Sequence, residues 1–287
     1  MADTVKAGMF VPEIATEVAT AEFPNKLVLA ASPAVVPIPA DTLGSEGDLI
    51  KFPRYNPLAE FDEISEGVSL TPEALRTSQD FAPVFQGGKA VEITDFASLA
   101  ARGDPSTEVG RQIAELAARY VDNKLVLEAE TTALVKDITG ETLKTFNYDS
   151  FVDAILDKWG DKAFDAIGAL VVHPVQLKAI LKDTNFTKAN ETGQAQSPRI
   201  IGLRAIGLYL GYPLFVSGRI TVNAGSPNTY DALILKAGAL GFRYQRSLLV
   251  ENDRDILAKS DVIAADVRGA VHLHFGEPLP AIRFRTQ

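Results

Sequence analysis

Between residues 44 and 95 the sequence reads as two extended limbs around an acidic stretch, and this limits the possible folds more than any other feature. "GDLIKFPRYN" is extended in character, "AEFDEISEG" is acidic, and "VSLTPEALRTSQDFAPVF" leads to a returning strand within "QGGKAVEITD". A limb of about twenty residues reaches about 60 Å at 3.3 Å per residue, whereas a compact chain of this length has a radius of gyration of about 19 Å. A fully extended hairpin therefore projects beyond its own core. Its apolar positions, Leu49, Ile50, Phe52, Tyr55, Phe61 and Ile64, then need burial elsewhere, because an isolated two-stranded hairpin is marginal in water. A neighbouring subunit could supply that surface; the alternative is that these residues fold back on their own core.

The two glycines before Lys89 invite comparison with a phosphate-cradling loop, and the comparison fails on chemistry. A Walker A loop needs a glycine five positions before its Gly-Lys pair and a hydroxyl directly after the lysine. Those positions hold Pro83 and Ala90. Pro83 lacks an N–H and Ala90 lacks a hydroxyl. The segment is instead a Gly-Gly turn leading into a strand that alternates through Lys89, Val91 and Ile93.

The rest of the chain divides by pattern. Residues 1 to about 40 carry Pro12, Pro24, Pro33, Pro37 and Pro39, which exclude one long helix and suggest an ordered arm. Asp104 as N-cap and Pro105 at the first helical position open a helix running to about Val135. Its apolar residues Val109, Ile113, Leu116, Ala117, Tyr120, Leu127 and Leu134 recur mostly at steps of three and four. From about 137, helices and strands alternate: "YDSFVDAILDKWGD" as a helix capped by Asp149 or Ser150, "AIGALVVHP" as a buried strand, and "PVQLKAILKD" as a helix begun by Pro174. A polar loop from Asp183 to Arg199 is long for a compact domain and marks a functional or mobile surface. Strands follow in "IGLYLGYPLFVSG", "YDALILKAGALGF", "RSLLVEND", "DVIAADVRGAVHLHF" and "PAIRFRTQ".

Composition narrows the chemistry. With 287 residues, a net charge of −9 and no cysteine, the chain can bury a sizeable core but has no thiol nucleophile, thiolate metal site or disulfide. An acidic balance disfavours tight binding to nucleic acid. No secretory signal and no apolar run of bilayer length is evident, so a soluble protein kept in the cytoplasm is expected. Among the three histidines, His272 and His274 share a strand face without an evident third metal ligand. His173 stands at a strand-to-helix junction, but no G-x-S-x-G elbow occurs to partner it. "VENDRDIL" groups Glu251, Asp253, Arg254 and Asp255 in a form better suited to an ion-pair cluster, within or between subunits, than to acid–base catalysis. No catalytic, cofactor or metal site is expected.

The succession of the N-terminal arm, acidic extended hairpin, "KAVEITD", "GRQIAELAARYVDNKLV", "ALVVHPVQLKAIL", "GLYLGYPLFVSG", "YDALILKAGALGF" and "VENDRD" resembles the major capsid protein family of tailed bacteriophages over nearly the whole chain. The resemblance implies an α+β fold of the Hong Kong ninety-seven type. Residues 1–40 would be the N-terminal arm and 41–85 the extended loop over an adjacent subunit. Residues 86–136 and 238–258 would form the peripheral domain with its spine helix, and 137–237 with 259–287 the axial domain. Lys51, Phe52, Arg54, Phe61, Glu63 and Glu66 would make intersubunit contacts from the loop, and Glu251, Asp253 and Arg254 from the peripheral domain. The implied product is an icosahedral phage head of pentamers and hexamers enclosing double-stranded DNA, assembled in the host cytoplasm. The implied partners are other copies of the chain, a separate scaffolding protein, portal and decoration proteins and weakly contacted DNA, with no membrane and no cofactor. No Lys–Asn crosslink is expected. The alternatives are a bacterial nanocompartment shell of the same fold and a small α/β hydrolase using His173.

Overall fold

The computed structural model of the chain describes residues 12–38, 47–56, 58, 59, 63, 69, 72–100, 105–138, 146–162, 167–182, 186–188, 205–225, 228–273 and 279–286. Among the described residues two sheets pack against one long helix, and a separate hairpin rests on one of the sheets.

That helix, α3 (Pro105–Thr132), is 28 residues and about 42 Å long, beginning at Pro105 as expected and ending three residues before the expected Val135. Asp104 lies outside the described residues. Ile113, Ala114, Ala118, Val121, Leu125 and Ala129 bury one face. The opposite face is solvated and carries Glu108–Arg111 at 2.8 Å and Glu115–Arg119, pairs three and four residues apart. The proline-rich arm contains a helix, α1 (Pro12–Lys26). Pro12 occupies the first turn, where the N–H would be unpaired in any case, whereas Pro24 lies in the last turn and gives up one backbone hydrogen bond there. Ala15, Ala19 and Phe23, four residues apart, bury against α3. The backbone of α1 comes so near that a Cβ on Gly110 would lie 2.6 Å from the Ala15 carbonyl oxygen. The chain then turns on Asp122 of α3, whose carboxylate accepts from the backbone N–H groups of Val28, Leu29 and Ala30.

Over α3 lies a four-stranded sheet in the order β1 (Val35–Pro37), β12 (Leu240–Asp255), β13 (Ser260–Leu273), β4 (Phe85–Thr94). β12 and β13 form a long antiparallel ribbon, and β4 pairs with β13 from Gly269↔Phe85 to Ser260↔Thr94. Residues 260–273 thus belong to this sheet, although the sequence partition grouped 259–287 with the axial region. The reason is local: the tight turn at 256–259 folds β13 straight back on β12. β1 pairs only with residues 240–242.

The other sheet has the order β5 (Leu134–Asp137), β14 (Ala281–Thr286), β11 (Thr229–Lys236), β6 (Ile167–Val172), β9 (Tyr212–Val216), β8 (Gly207–Tyr209), β7 (Phe186–Lys188), with β10 (Val222–Asn223) beside β11. β6, the expected buried strand, is buried at all six positions. β8 and β9 form a hairpin closed by Leu210 and Gly211, both at positive φ (53° and 83°), the backbone of a tight turn matched to strand twist. α4 (Tyr148–Trp159) and α5 (Pro174–Ile180) complete this region. The cap of α4 is Asn147 rather than Asp149 or Ser150. Its Oδ1 accepts from Ser150 N at 2.9 Å, while Ser150 Oγ accepts from Asn147 N at 3.1 Å, a reciprocal box.

The extended limbs are β2 (Leu49–Tyr55) and β3 (Thr77–Pro83), paired antiparallel as a separate two-stranded sheet. A short helix, α2 (Asp95–Ala100), follows β4. Most of the polar loop from Asp183 to Arg199 lies outside the described residues, and its residues 186–188 form β7.

Candidate intersubunit surfaces

Strand alternation gives the β2–β3 hairpin two unlike faces. On the inner face Ile50 and Phe52 are buried with Ala82 against Ala270 of β13. The Phe52 ring also lies 5.4 Å from the His272 ring. Phe52, expected as a contact between subunits, is therefore buried in its own subunit: two residues of the same parity pack on β13, and only the other parity remains for a neighbour. Arg54 belongs to the inner face too, with Nε 3.3 Å from Asp80 Oδ2 and 2.8 Å from Ser78 Oγ. On the outer face Leu49, Lys51 and Tyr55 stand opposite Pro83, Phe81 and Thr77, and all are exposed. Lys51 Nζ sits 5.9 Å from the centre of the Phe81 ring. Glu63 is exposed, and Phe61, Ile64 and Glu66 lie outside the described residues.

The far end of the β12–β13 ribbon forms a second surface. Every residue from Glu251 to Lys259 is exposed, with Ile256 at 70% and Leu257 at 96%, and Phe96 at the start of α2 is 83% exposed. The backbone here is ordered despite that exposure. Asp255 Oδ1 accepts from the N–H groups of Leu257 and Ala258, and Asp95 N donates to the Lys259 carbonyl at 2.9 Å. Arg254, expected to reach a neighbour, is instead held in its own chain: its guanidinium binds Asp95 at 2.8 and 3.0 Å and Asp261 at 3.0 Å. The hydrogen bond from Arg254 holds the Asp95 carboxyl below its ordinary range, and the same bonds push the Arg254 guanidinium up. Asp253 accepts from the backbone N–H of Arg254 at 2.8 Å, and Glu251 stands exposed on the strand. The exposed trio Phe96, Ile256 and Leu257 was missed in the sequence. "DIL" carries a signal, two large aliphatics directly after a run of charges, but nothing there shows that Phe96 lies at the same end.

The Gly-Gly pair has a packing role. Gly87 and Gly88 lie inside β4, not at a turn, and a Cβ on Gly87 would fall 2.4 Å from Cε1 of Tyr120. The bare strand lets the Tyr120 ring lie on it, and the ring's hydroxyl donates to the Gln86 carbonyl at 3.0 Å. Beside this contact is a cavity of about 250 Å³ lined mainly by Ile113, Leu116, Ala117, Leu248 and Val267. Its walls are mainly apolar, and the charged residues that line it, Lys89 and Asp266, are of opposite sign.

The histidines are similarly occupied. His173 caps α5: its Nδ1 accepts from Val175 N at 3.3 Å, its ring stacks on Tyr230 at 4.9 Å, and burial lowers its pKa. His272 sits between two carboxylates, with Nε2 3.6 Å from Asp80 and Nδ1 3.9 Å from Glu128, joining the hairpin to α3. His274 lies outside the described residues. Among the described residues no three His, Cys, Asp or Glu side chains converge as a metal would require, and no helix is long and apolar enough to cross a membrane.

The chain matches the model of the phage capsid protein family over residues 80–283. It is 27% identical over 277 residues to the major capsid protein of Staphylococcus phage phiMR11, covering 94% of this chain and 92% of that protein. In three dimensions it resembles the capsid of Ralstonia phage GP4 with a TM-score of 0.64 at 13% identity, over 92% of this chain and 90% of that one. The head structure of Helicobacter pylori bacteriophage KHP40 gives 0.61 at 10% identity, over 92% and 91%. The α+β arrangement is therefore the expected Hong Kong ninety-seven-type fold. These similarities are to phage capsids and lend no support to the nanocompartment or hydrolase alternatives.

Proposed function

Because the chain belongs to the phage capsid protein family, we propose that it is the major structural protein of a phage head, building pentamers and hexamers of an icosahedral shell around double-stranded DNA. The observation that carries this reading is the family match over residues 80–283, joined to a capsid fold that spans nine-tenths of the chain. The role is structural, with no catalysis. The protein is part of the virus particle, assembled in the host cytoplasm from many copies of itself. A separate scaffolding protein guides assembly, portal and decoration proteins complete the head, and the net charge of −9 keeps the contact with packaged DNA weak.

In this reading residues 1–40 are the arm and 41–85 the extended loop. The peripheral domain combines 86–136 with 238–273, so that it includes β13, and the axial domain combines 137–237 with the chain beyond 273. Lys51 on the outer hairpin face, Glu63, and Glu251 with Asp253 at the ribbon tip remain as contacts to neighbouring subunits. Phe61 and Glu66 stay with them as loop contacts on sequence grounds alone. Arg54 and Arg254 act as intrachain braces that shape those surfaces. Many moderate interfaces, each of about 1,600 Å² of total burial, hold such a shell together while letting misplaced subunits leave during assembly.

Electron microscopy with mass measurement, on purified protein over a range of concentrations and with scaffolding protein added, tests the reading. Closed particles of uniform size are expected. A subunit that stays monomeric under every one of these conditions overturns it.

A further inference from the structure

Where Tyr120 rests on Gly87, α3 and the four-stranded sheet are in contact; beside that contact they part. Ile113, Leu116 and Ala117 of the helix and Leu248, Ala265 and Val267 of the ribbon line the space between them, about 250 Å³. Gly87 and Gly88 close it on the β4 side without side chains of their own. Water finds too few hydrogen-bonding partners in such a space, and an apolar cavity of about 150 Å³ already stays dry and takes up benzene. This one is open to solvent at its rim, where Leu116 is 47% exposed and Lys89 is exposed as well.

Of the two charged residues at the cavity, only one is already bound. Asp266 shares the parity of Gln86 and Gly88, the face of the sheet turned away from α3, and a Cβ on Gly88 would lie 3.3 Å from its own Cβ. On that face its carboxylate binds Arg246, accepts from Gln86 Nε2 at 3.1 Å and has Arg268 Nε at 3.8 Å. Lys89 shares the parity of Gly87, which faces the Tyr120 ring, so its side chain leaves β4 on the α3 side. Its register partner Ala265 lies in the core beneath the helix. Among the described residues Lys89 makes no ion pair.

We infer that this cavity is a binding site for a small amphipathic anion, an alkyl or aryl carboxylate whose apolar part lies between α3 and the sheet and whose carboxylate meets Lys89 at the rim. A mainly apolar cleft with one placed polar group is the usual make-up of a small-molecule site. The apolar part supplies the affinity: each methylene that enters strengthens binding about fourfold until the space is full, and further length adds nothing. The ammonium of Lys89 selects an anion over a neutral molecule of the same shape. The site lies within one subunit, so it goes beyond the shell reading and does not depend on it. A bound molecule touches α3 and three strands at once, and it ties the helix to its sheet beyond the Tyr120 contact.

Titration calorimetry on the unassembled full-length subunit tests this, with butanoate, hexanoate, octanoate and the neutral 1-octanol as probes, each kept below its aggregation concentration. Saturable binding of one octanoate per subunit is expected, with affinity rising from butanoate to octanoate. Lys89→Gln, at an exposed position, should weaken octanoate about fivefold, the size of an exposed charge contact, and leave 1-octanol unchanged. Ala117→Leu places a larger side chain in the cavity and should abolish both. Hydrogen exchange should show octanoate protecting residues 86–89, 113–120 and 263–267 of the wild-type chain. Uptake that never saturates, or that Ala117→Leu leaves intact, is adsorption to the surface and overturns the site. If that variant does not fold, the wild-type exchange pattern decides, and protection confined to other residues overturns the site. An equal effect of Lys89→Gln on octanoate and 1-octanol, or none on either, overturns the assignment to an anion. Whether the chain forms particles has no bearing on these outcomes, so failure of this site and failure of the shell reading are separate results.

Discussion

The two sheets handle the same kind of interaction in opposite ways. In the eight-stranded sheet Asp231 is wholly buried, bound by Arg285 Nε at 2.8 Å and approached by Arg283 at 3.7 Å, and it ties β11 to β14 at the register Asp231↔Arg285. At the ribbon tip Arg254 is bound by Asp95 and Asp261 while nearly half of its side chain stays in water. Around Asp231 lie strands such as β6, buried throughout; around Arg254 lie nine consecutive exposed residues. β12 crosses from one regime to the other, buried from Leu240 to Arg243 and exposed from Glu251 onward. One half of the molecule is complete by itself. The other half is held by hydrogen bonds yet exposed, which is what a subunit needs if its neighbours supply the missing contacts.

The strongest way to break this contrast is to damage the buried cluster. Asp231→Asn leaves the Arg285 and Arg283 guanidinium groups facing a neutral amide in the sheet interior and should cost about 3 kcal/mol, as loss of one partner of a buried pair does. Urea unfolding of the unassembled subunit checks it. A change as small as that of a surface mutation would show that this sheet does not depend on its buried charges. Next in size is Phe52→Ala, expected to cost about 2 kcal/mol for a fully buried aromatic. Hydrogen exchange should locate that loss in residues 49–55 and 77–83, with β6 still protected. If β6 loosens equally, the hairpin is part of the global core and the division between finished and unfinished halves fails.

Phe52 also shows where sequence reasoning stops. Alternation in "LIKFPRY" establishes that Ile50 and Phe52 share one face and Leu49, Lys51 and Tyr55 the other, but not which face looks inward. That depends on Ala270, some 220 positions away. Arg254 is the same case, since Asp95 comes to it from 159 residues upstream through the β4–β13 register. The long helix and β6 were legible because their signals are local: a proline at the first turn with apolar steps of three and four, and an unbroken apolar run. Helix α1 has such a signal in Ala15, Ala19 and Phe23, but small alanines carry little hydrophobic contrast and the surrounding prolines outweighed them. Tyr120 lying on Gly87 could not be read from "QGG" alone, because the ring that needs the space belongs to α3.

Gly87→Ala is the third test and should cost about 1 kcal/mol, the lower end for overpacking, because the new methyl group enters the space of the Tyr120 ring. Replacing Tyr120 by Leu in the same chain should recover most of that loss if the ring is the only obstacle. Equal urea midpoints for Gly87→Ala and wild type would mean that the sheet and α3 can separate freely, and the spine would not be a rigid support for the ribbon.

The smallest expected effect is at the tip, and it is the sharpest test of whether the tip is rigid before any neighbour arrives. Arg254→Gln should leave the melting temperature of the subunit unchanged, because the clamp is exposed and screened by water. Its effect should appear locally and depend on pH. The Asp95 carboxyl is held below its ordinary range by the Arg254 hydrogen bond. Its contribution to tip order is therefore fully present above the ordinary carboxylate value of about 4 and is lost as pH falls through the depressed folded value. Near neutrality the Asp95 amide, which donates to the Lys259 carbonyl, should exchange slowly in wild type and faster in Arg254→Gln. As pH falls through the depressed folded value of Asp95, the two proteins should converge because that carboxylate becomes protonated. Identical protection near neutrality would mean that the Asp255 turn orders the tip by itself, and Arg254 would then be free to exchange its partners for those of a neighbouring subunit.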